Sequence, residues 1–384
     1  MRFVPGPADC ALVLPTRNRF SRLLQTLERI AQTPGPAVEV VIADNGSQDQ
    51  TPRRIKQAFP KIKVLELGEN LGTSARNAGA GEAESPIIFM LDDDSGPAPG
   101  TVEKIIAILE DPSIGAVACP IQLPDQSYEE GGSRHVFVGC GAAFRRKVFL
   151  DLGGYPREYE TYVEEYDLAY RILAYDLAVE YVSDCVVWHE PAARDSFNYM
   201  VEKLTANNGY LAAKFYPAKE AAEFIAWMTF RYSIFARRKG AGLGFQKAVE
   251  ALPGKILRGL TEHQILPDRV LDQILPQHYA LPVMAALSIQ SVRRIAFFRA
   301  GKEINGLIQA ALDAGLEVMA IYEPPNGLLC DLTEIFGIPI QRYRGQPIPT
   351  EIDRLIIGGT SPGFIANTLR LAEENCLKNL VLPY

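Results

Sequence analysis

Asp92, Asp93 and Asp94 stand in a row directly after Ile87, Ile88, Phe89, Met90 and Leu91, and directly before Ser95, Gly96, Pro97, Ala98, Pro99 and Gly100. An apolar run that ends in acids and is stopped by a Pro/Gly turn reads as a buried strand delivering carboxylates to one spot. Adjacent carboxylates repel one another unless a divalent cation or basic groups lie among them, and oxygen donors suit Mg²⁺ or Mn²⁺. An isolated acidic run is more often a solvated turn. The strand before it and the residues that accompany it favour a cation site.

A second group of acids opens a helix over 162–171. Glu164, Asp167 and Arg171 fall on one face, and Glu165 points toward the side of Leu168 and Ala169. Alone, these acids would be a solvated helix start favoured by the helix dipole. A strand is expected at 179–187, and His189 follows it. On its own it would be a hydrogen-bonded rim or core histidine.

The elements that must position these groups alternate. Apolar runs at 10–14, 38–43, 62–67 and 87–91 predict strands; helical spacing predicts helices over 20–31, from 51, and around 75–79. Nearly uniform apolar strands alternating with helices indicate a parallel sheet covered on both faces, with ligands bound at the carboxyl ends of the strands. Those ends carry Pro15, Thr16, Arg17 and Arg19; Asp44 and Asn45; Asn70; and Asp92 to Asp94. Further on, a helix at 102–109, a strand at 115–119, a strand at 135–141 ending in Gly139 and Gly141, and a turn at 153–156 are expected.

Residues 195–288 read as helical. Their aromatic and basic stretch 230–239 is either a surface for anionic lipid or a lipid-linked acceptor, or an ordinary packed amphipathic helix. A linker is expected at 276–282. Strands at 294–298, 316–322, 338–343, 354–357 and 380–382, with helices near 302–314 and 330–336, then form a smaller Rossmann-like α/β unit. Its first turn, 299–306, lacks the dinucleotide fingerprint. Gly358, Gly359 and Gly363 suit either an anion at a helix N-terminus or a packing or dimerisation turn. The expected domains are 1–215, a helical extension 216–288, and 289–384.

Across 384 residues the net charge is −7, with 47% hydrophobic and 22% charged residues. That balance fits a globular protein and argues against nucleic acid as the partner. Six cysteines without a Cys-x-x-Cys pair, and the lack of a long apolar run, lead to the expectation of a cytoplasmic protein that does not span the membrane.

Together, Pro15-Thr-Arg-Asn-Arg19, Asp44-Asn-Gly-Ser-x-Asp49, Asn70-x-Gly72 with Ala75-Arg-Asn77, Leu91-Asp-Asp-Asp94 with Pro97-x-Pro-Gly100, Gly139-Cys-Gly141, Glu164-Glu-Tyr-Asp-Leu168 with Arg171, and His189 resemble the ordered motifs of family 2 inverting glycosyltransferases of the GT-A fold, over about 8–215. The resemblance implies a nucleoside diphosphate sugar as donor and Mn²⁺ or Mg²⁺ as metal. Thr16, Arg19, Asp44 and Asn45 would hold the base and ribose. Asn70 and Arg76 would line the donor site, with Arg76 near the diphosphate, and Asp92 and its neighbour Asp93 would lie by the ribose or sugar. Asp94 and His189 would bind the metal. The base position falls on Glu165, where the family has Asp; the longer side chain leaves Glu164 and Asp167 open for that role.

The implied acceptor is a glycan or a lipid-linked glycan, as in surface polysaccharide synthesis. Peripheral contact with the inner membrane face and self-association through 289–384 stay open. Two other classes compete. A sugar nucleotidyltransferase would place a glycine-rich basic loop after the first strand, and residues 15–19 contain no glycine. A binding module without catalysis would not need the acids at 92–94 and 164–167.

Overall fold

The computed structural model describes residues 1–192, 196–377 and 380–384. The chain divides into two compact units, Met1–Ala193 and Arg194–Tyr384.

The first unit is built on an eight-stranded mixed sheet. Cys10–Thr16 lies between Ala37–Asp44 and Ile87–Met90, all parallel, with Arg2–Val4 and Lys63–Glu66 pairing beside Ala37–Asp44. Residues 10–14 and 88–91 are fully buried. Each large apolar side chain placed there contributes about 1.5–3 kcal/mol. Helices Phe20–Gln32 and Thr101–Ile108 add Leu23, Leu27, Ile30, Val102 and Ile105 to the same core.

Two expectations fail here. Residues 135–141 do not form a strand: Gly139–Gly141 is a short turn, and the strand is Ala142–Arg145, antiparallel to both Ile87–Met90 and Ile114–Ala118. Gly141 allows this, because a β-carbon there would lie 2.1 Å from Ile121. The run 179–187 is broken into Ala178–Tyr181, in the large sheet, and Val187–His189, the centre of a three-stranded sheet with Ser95–Pro97 and Ile121–Gln122.

The second unit starts with helices Asn198–Phe215, Ala218–Lys239, Gly242–Thr261, Asp268–Ile274 and Pro276–Ile289. Asn198–Phe215, assigned by sequence to the first domain, packs against Gly242–Thr261 through glycines: a β-carbon on Gly209 would meet Leu252 at 2.3 Å, and one on Gly259 would meet the Tyr210 carbonyl oxygen at 2.6 Å. The expected linker 276–282 is helix. Pro276 sits in its first turn, where no amide partner is needed.

A six-stranded sheet follows, in the order Glu334–Ile335, Ile338–Arg342, Glu317–Glu323, Arg294–Ala300, Arg354–Gly358, Leu380–Val381, parallel except for the first pair. The expected helix at 330–336 is a turn and hairpin instead. Gly358 and Gly359 serve packing: a β-carbon on Gly358 would lie 1.9 Å from the Arg299 carbonyl oxygen, and Gly301 N donates to Gly358 O at 2.7 Å. In Ala218–Lys239, Trp227, Met228, Tyr232 and Ile234 join the core of this unit, so one face of the aromatic stretch is an interior surface. Among the described residues no helix is long and apolar enough to cross a membrane.

Candidate active site

Strand ends bring the first group of residues together. Thr16 and Asp44 are register neighbours. Thr16 Oγ1 donates to Asp93 Oδ2 at 2.8 Å. Arg19 donates to Asp93 Oδ1 at 2.5 Å and to Asp94 Oδ2 at 2.7 Å, and Arg76 Nη2 pairs with Asp92 Oδ1. Each acid of the row is therefore met by a guanidinium, which offsets the repulsion among the three.

The small sheet supplies the histidine. His189 stands opposite Ser95, and Glu190 N donates to Asp94 O at 3.0 Å. This register sets His189 Nε2 3.1 Å from Asp94 Oδ1, while Nδ1 lies 2.5 Å from Glu129 Oε1 and 3.8 Å from Cys140 Sγ. Burial opposes charge on the imidazole, but the bonds to Asp94, Cys140 and Glu129 outweigh it and raise the His189 pKa. Burial likewise pushes the Asp93 carboxyl up to about 7 against the pull of Arg19 and Thr16. At Asp94 burial is overcome by His189 and Arg19, and the pKa falls below the ordinary carboxylate value. Asp92, Cys140 and His189 each offer a donor atom, all within 4.8 Å of one another. With Asp94 beside them, this oxygen, nitrogen and sulfur set fits a divalent cation.

The second acidic group lies in the same crevice. Glu164 and Glu165 open the helix Glu164–Ala174. The backbone just before it is strained: Glu160, Tyr162 and Val163 have φ of +59, +63 and +78°, costly for non-glycine residues and most of all for a β-branched one. Glu165 is partly exposed, with Oε1 against Gly139, where a β-carbon would come within 3.1 Å. Glu164 is buried. Desolvation raises both pKa values. The neighbouring Glu165 charge adds to the rise at Glu164, and Asp92 adds to it at Glu165, while Arg76 opposes both. Arg76 Nε, Tyr155 OH, Glu164 Oε2 and Asp44 Oδ1 are buried with no hydrogen-bond partner. Buried polar atoms are nearly always satisfied, and a concentration of orphans marks a place for a ligand.

Other expected site residues serve the loops. Asn45 ties two of them, accepting from Leu71 N at 2.7 Å and donating to Gly72 O at 3.0 Å. Asn70 is exposed and accepts from Gly72 N. Gly72 and Thr73 lie on Glu160 O, which Thr73 N reaches at 2.8 Å. Pro15 lies within the strand Cys10–Thr16.

Asp167 is fully buried, accepting from Arg171 Nε at 2.7 Å and Tyr159 OH at 3.0 Å, while Arg171 Nη2 holds Gly154 O. It anchors the helix to the loop at 152–155. Asp167→Ala is expected to cost about 3–5 kcal/mol, since it strands a largely buried guanidinium. The denaturation midpoint reads this. An unchanged midpoint with transfer lost would move Asp167 into the chemistry.

Glu129 and Tyr155 are site residues that sequence reasoning missed. Glu129 lies between the strands expected at 115–119 and 135–141, where the sequence reads as a polar loop, and nothing local signals its pairing with His189, 60 positions away. Tyr155 followed two turn glycines; Asn77, which brackets its backbone at 2.8 and 2.9 Å, was the available hint.

A mostly parallel sheet that gathers an acid row at its carboxyl edge, with a reversed strand and a small second sheet alongside, defines the GT-A class of nucleotide-diphospho-sugar transferase folds. Residues 11–136 match the family model described as glycosyl transferase family 2. That segment is a family 2 glycosyltransferase domain.

An uncharacterized glycosyltransferase of Bacillus subtilis, YwdF, is 33% identical over 26% of this chain and 38% of its own length. An uncharacterized glycosyltransferase of Haemophilus influenzae is 24% identical over 42% of this chain and 61% of its own length. The chain thus spans less than two thirds of either relative. A Mycobacterium tuberculosis protein named N-acetylglucosaminyl-diphospho-decaprenol L-rhamnosyltransferase is 26% identical over 45% of this chain and 72% of its own length. Among solved structures, S. aureus TarS 1-349 in complex with UDP-GlcNAc aligns over 80% of this chain and 93% of that one, at 16% identity and a TM-score of 0.49.

Proposed function

We propose that this protein is an inverting, metal-dependent glycosyltransferase that moves a sugar from a nucleoside diphosphate sugar to a hydroxyl acceptor. The observation that carries the reading is the set of partnerless buried polar atoms around the acid row, with Asp44 Oδ1 and Arg76 Nε in the segment that matches family 2 and Tyr155 OH and Glu164 Oε2 beyond it.

In this reading Asp44, Asn45 and Thr16 border the nucleoside, and Asn70 lines the loop above it. Arg19 borders the nucleoside with them, and Arg76 faces the diphosphate, where its guanidinium pairs with phosphate oxygens. Asp92 and Asp93 lie by the ribose and sugar. Asp94 and His189 hold Mn²⁺ or Mg²⁺, with Asp92 and Cys140 within reach. The cation, when bound, neutralises charge that develops on the departing diphosphate.

Glu165 is the base. Its raised pKa favours taking the proton from the acceptor hydroxyl. The acceptor oxygen bonds to the anomeric carbon as the carbon–oxygen bond to the diphosphate breaks on the opposite face, so configuration inverts. Burial and the Asp92 charge are what raise Glu165, against the pull of Arg76, while Glu164 is itself held protonated by burial and by the Glu165 charge.

The acceptor is a glycan or lipid-linked glycan, in keeping with the name of the mycobacterial relative. The reading places the protein in the cytoplasm or at the inner face of the membrane.

A thermal-shift series with UDP, GDP, ADP and dTDP, each with and without Mn²⁺, tests the proposal. One nucleotide with Mn²⁺ at 100 times its Kd should stabilise the native state by about 2.7 kcal/mol, and by less without the metal. No shift with any of the four contradicts the reading.

A further inference from the structure

The second unit holds a cavity of about 410 Å³ that the catalytic reading does not use. That volume falls in the range of small-molecule sites, about 300–1,000 Å³. Its aromatic walls are Trp227, Phe230 and Phe336, and its polar groups are Glu223, Gln277, Asn305 and Gln309. We propose that it binds a neutral saccharide, with the rings against C–H faces of the sugar and the amides and carboxylate on its hydroxyls.

Two aromatic residues are kept where folding alone would not put them. Phe336 is 62% exposed and Phe230 44% exposed. Phe336 and Gly337 form the two-residue turn between the paired Ile335 and Ile338, with φ of +51 and +74°. Two positive φ values mark a type I′ turn, which prefers Asn-Gly or Asp-Gly; a bulky aromatic in the first place is strained and, at 62% exposure, gains little from burial. Its ring instead faces the cavity, with its centroid 5.7 Å from that of Trp227, and Phe230 lies 6.0 Å from the same indole. Trp227 is fixed in turn, its Nε1 donating to Lys302 O at 2.6 Å. Gly306 admits the other side: a β-carbon there would meet Gln277 Oε1 at 3.0 Å and Pro276 at 2.7 Å.

The lining selects the ligand class. Among the described residues no Lys or Arg lines the cavity, and its one charged lining group is the Glu223 carboxylate, partly offset by the exposed Lys219 Nζ at 3.9 Å, so phosphates and nucleotides find no cation there to pair with. Gln309 already donates to Asp313 Oδ1 at 2.7 Å, but a prenyl chain would still cover the Gln277 and Asn305 amides and the Glu223 carboxylate without giving them partners, which is unfavourable. A saccharide supplies hydroxyls to those groups and polarised C–H bonds to the electron-rich ring faces.

The test needs no turnover, and its outcome is separate from that of the catalytic reading. Trp188 and Trp227 are the only tryptophans in the chain. In full-length protein carrying Trp188→Phe, Trp227 alone reports on the cavity. Maltotetraose, cellotetraose and N-acetylchitotetraose are titrated, with farnesol in parallel. The expected result is a saturable change in emission with at least one tetrasaccharide, weakened tenfold or more by Phe336→Asn. Asn suits the turn, so the melting temperature of Phe336→Asn should hold or rise, which separates lost binding from lost fold. Silence with all three tetrasaccharides, a response to farnesol alone, or unchanged affinity in Phe336→Asn overturns the proposal.

Discussion

Glu165→Gln is expected to slow sugar transfer by about 10²–10⁴-fold, the range that proton transfer by a positioned base contributes, while nucleoside diphosphate affinity stays at the wild-type value. The amide keeps the size of the side chain and loses the ability to take a proton. Glu165 is the acid of its helix that is both partly exposed and in the field of Asp92 and Arg76, so it adjoins the donor site and remains open to an acceptor. Single-turnover transfer and calorimetric nucleotide binding, measured on the same preparation, read the two effects. If Glu164→Gln gives the larger loss at unchanged stability, the base is Glu164, and the partnerless Glu164 Oε2 becomes the atom that meets the acceptor.

Asp94→Ala is expected to cut transfer by about 10²–10³-fold or more, comparable with deleting one electrostatic stabiliser of a developing charge, and to remove its dependence on Mn²⁺. The substitution takes away an oxygen beside His189 Nε2 and the second carboxylate of Arg19. Arg19 keeps Asp93, and His189 keeps Glu129, so the strand end retains its bracing. Turnover against Mn²⁺ concentration measures this. A variant with wild-type turnover and the same metal dependence would remove Asp94 from the cation site.

The residues at the ends of long apolar runs were legible in the sequence. Thr16, Asp44 and Asp92 to Asp94 each follow four or more buried residues, and hydrophobic runs of that length specify a covered parallel sheet. Shorter elements were not. Ser95–Pro97, Ile121–Gln122 and Val187–His189 are two or three residues long, too short for any periodicity, yet they set His189 against Asp94. The hairpin at 334–342 was hidden because its turn is Phe-Gly rather than Asn-Gly, so apolar spacing suggested a helix. The place of Asp167 was legible only as a face shared with Arg171; that the pair is buried depends on Tyr159 and on the loop at 152–155, which bring partners from outside the helix.

In the proposed mechanism one crevice at the carboxyl edge of the first sheet holds a cation against a nucleoside diphosphate. Anomalous scattering at the manganese edge, from crystals grown with Mn²⁺ and UDP or whichever nucleotide gives the thermal shift, tests it most directly. The account predicts a single strong peak between the carboxylate of Asp94, the imidazole of His189 and the diphosphate, absent in Asp94→Ala. A peak remote from Asp94 and His189, or one that survives the substitution unchanged, would contradict it.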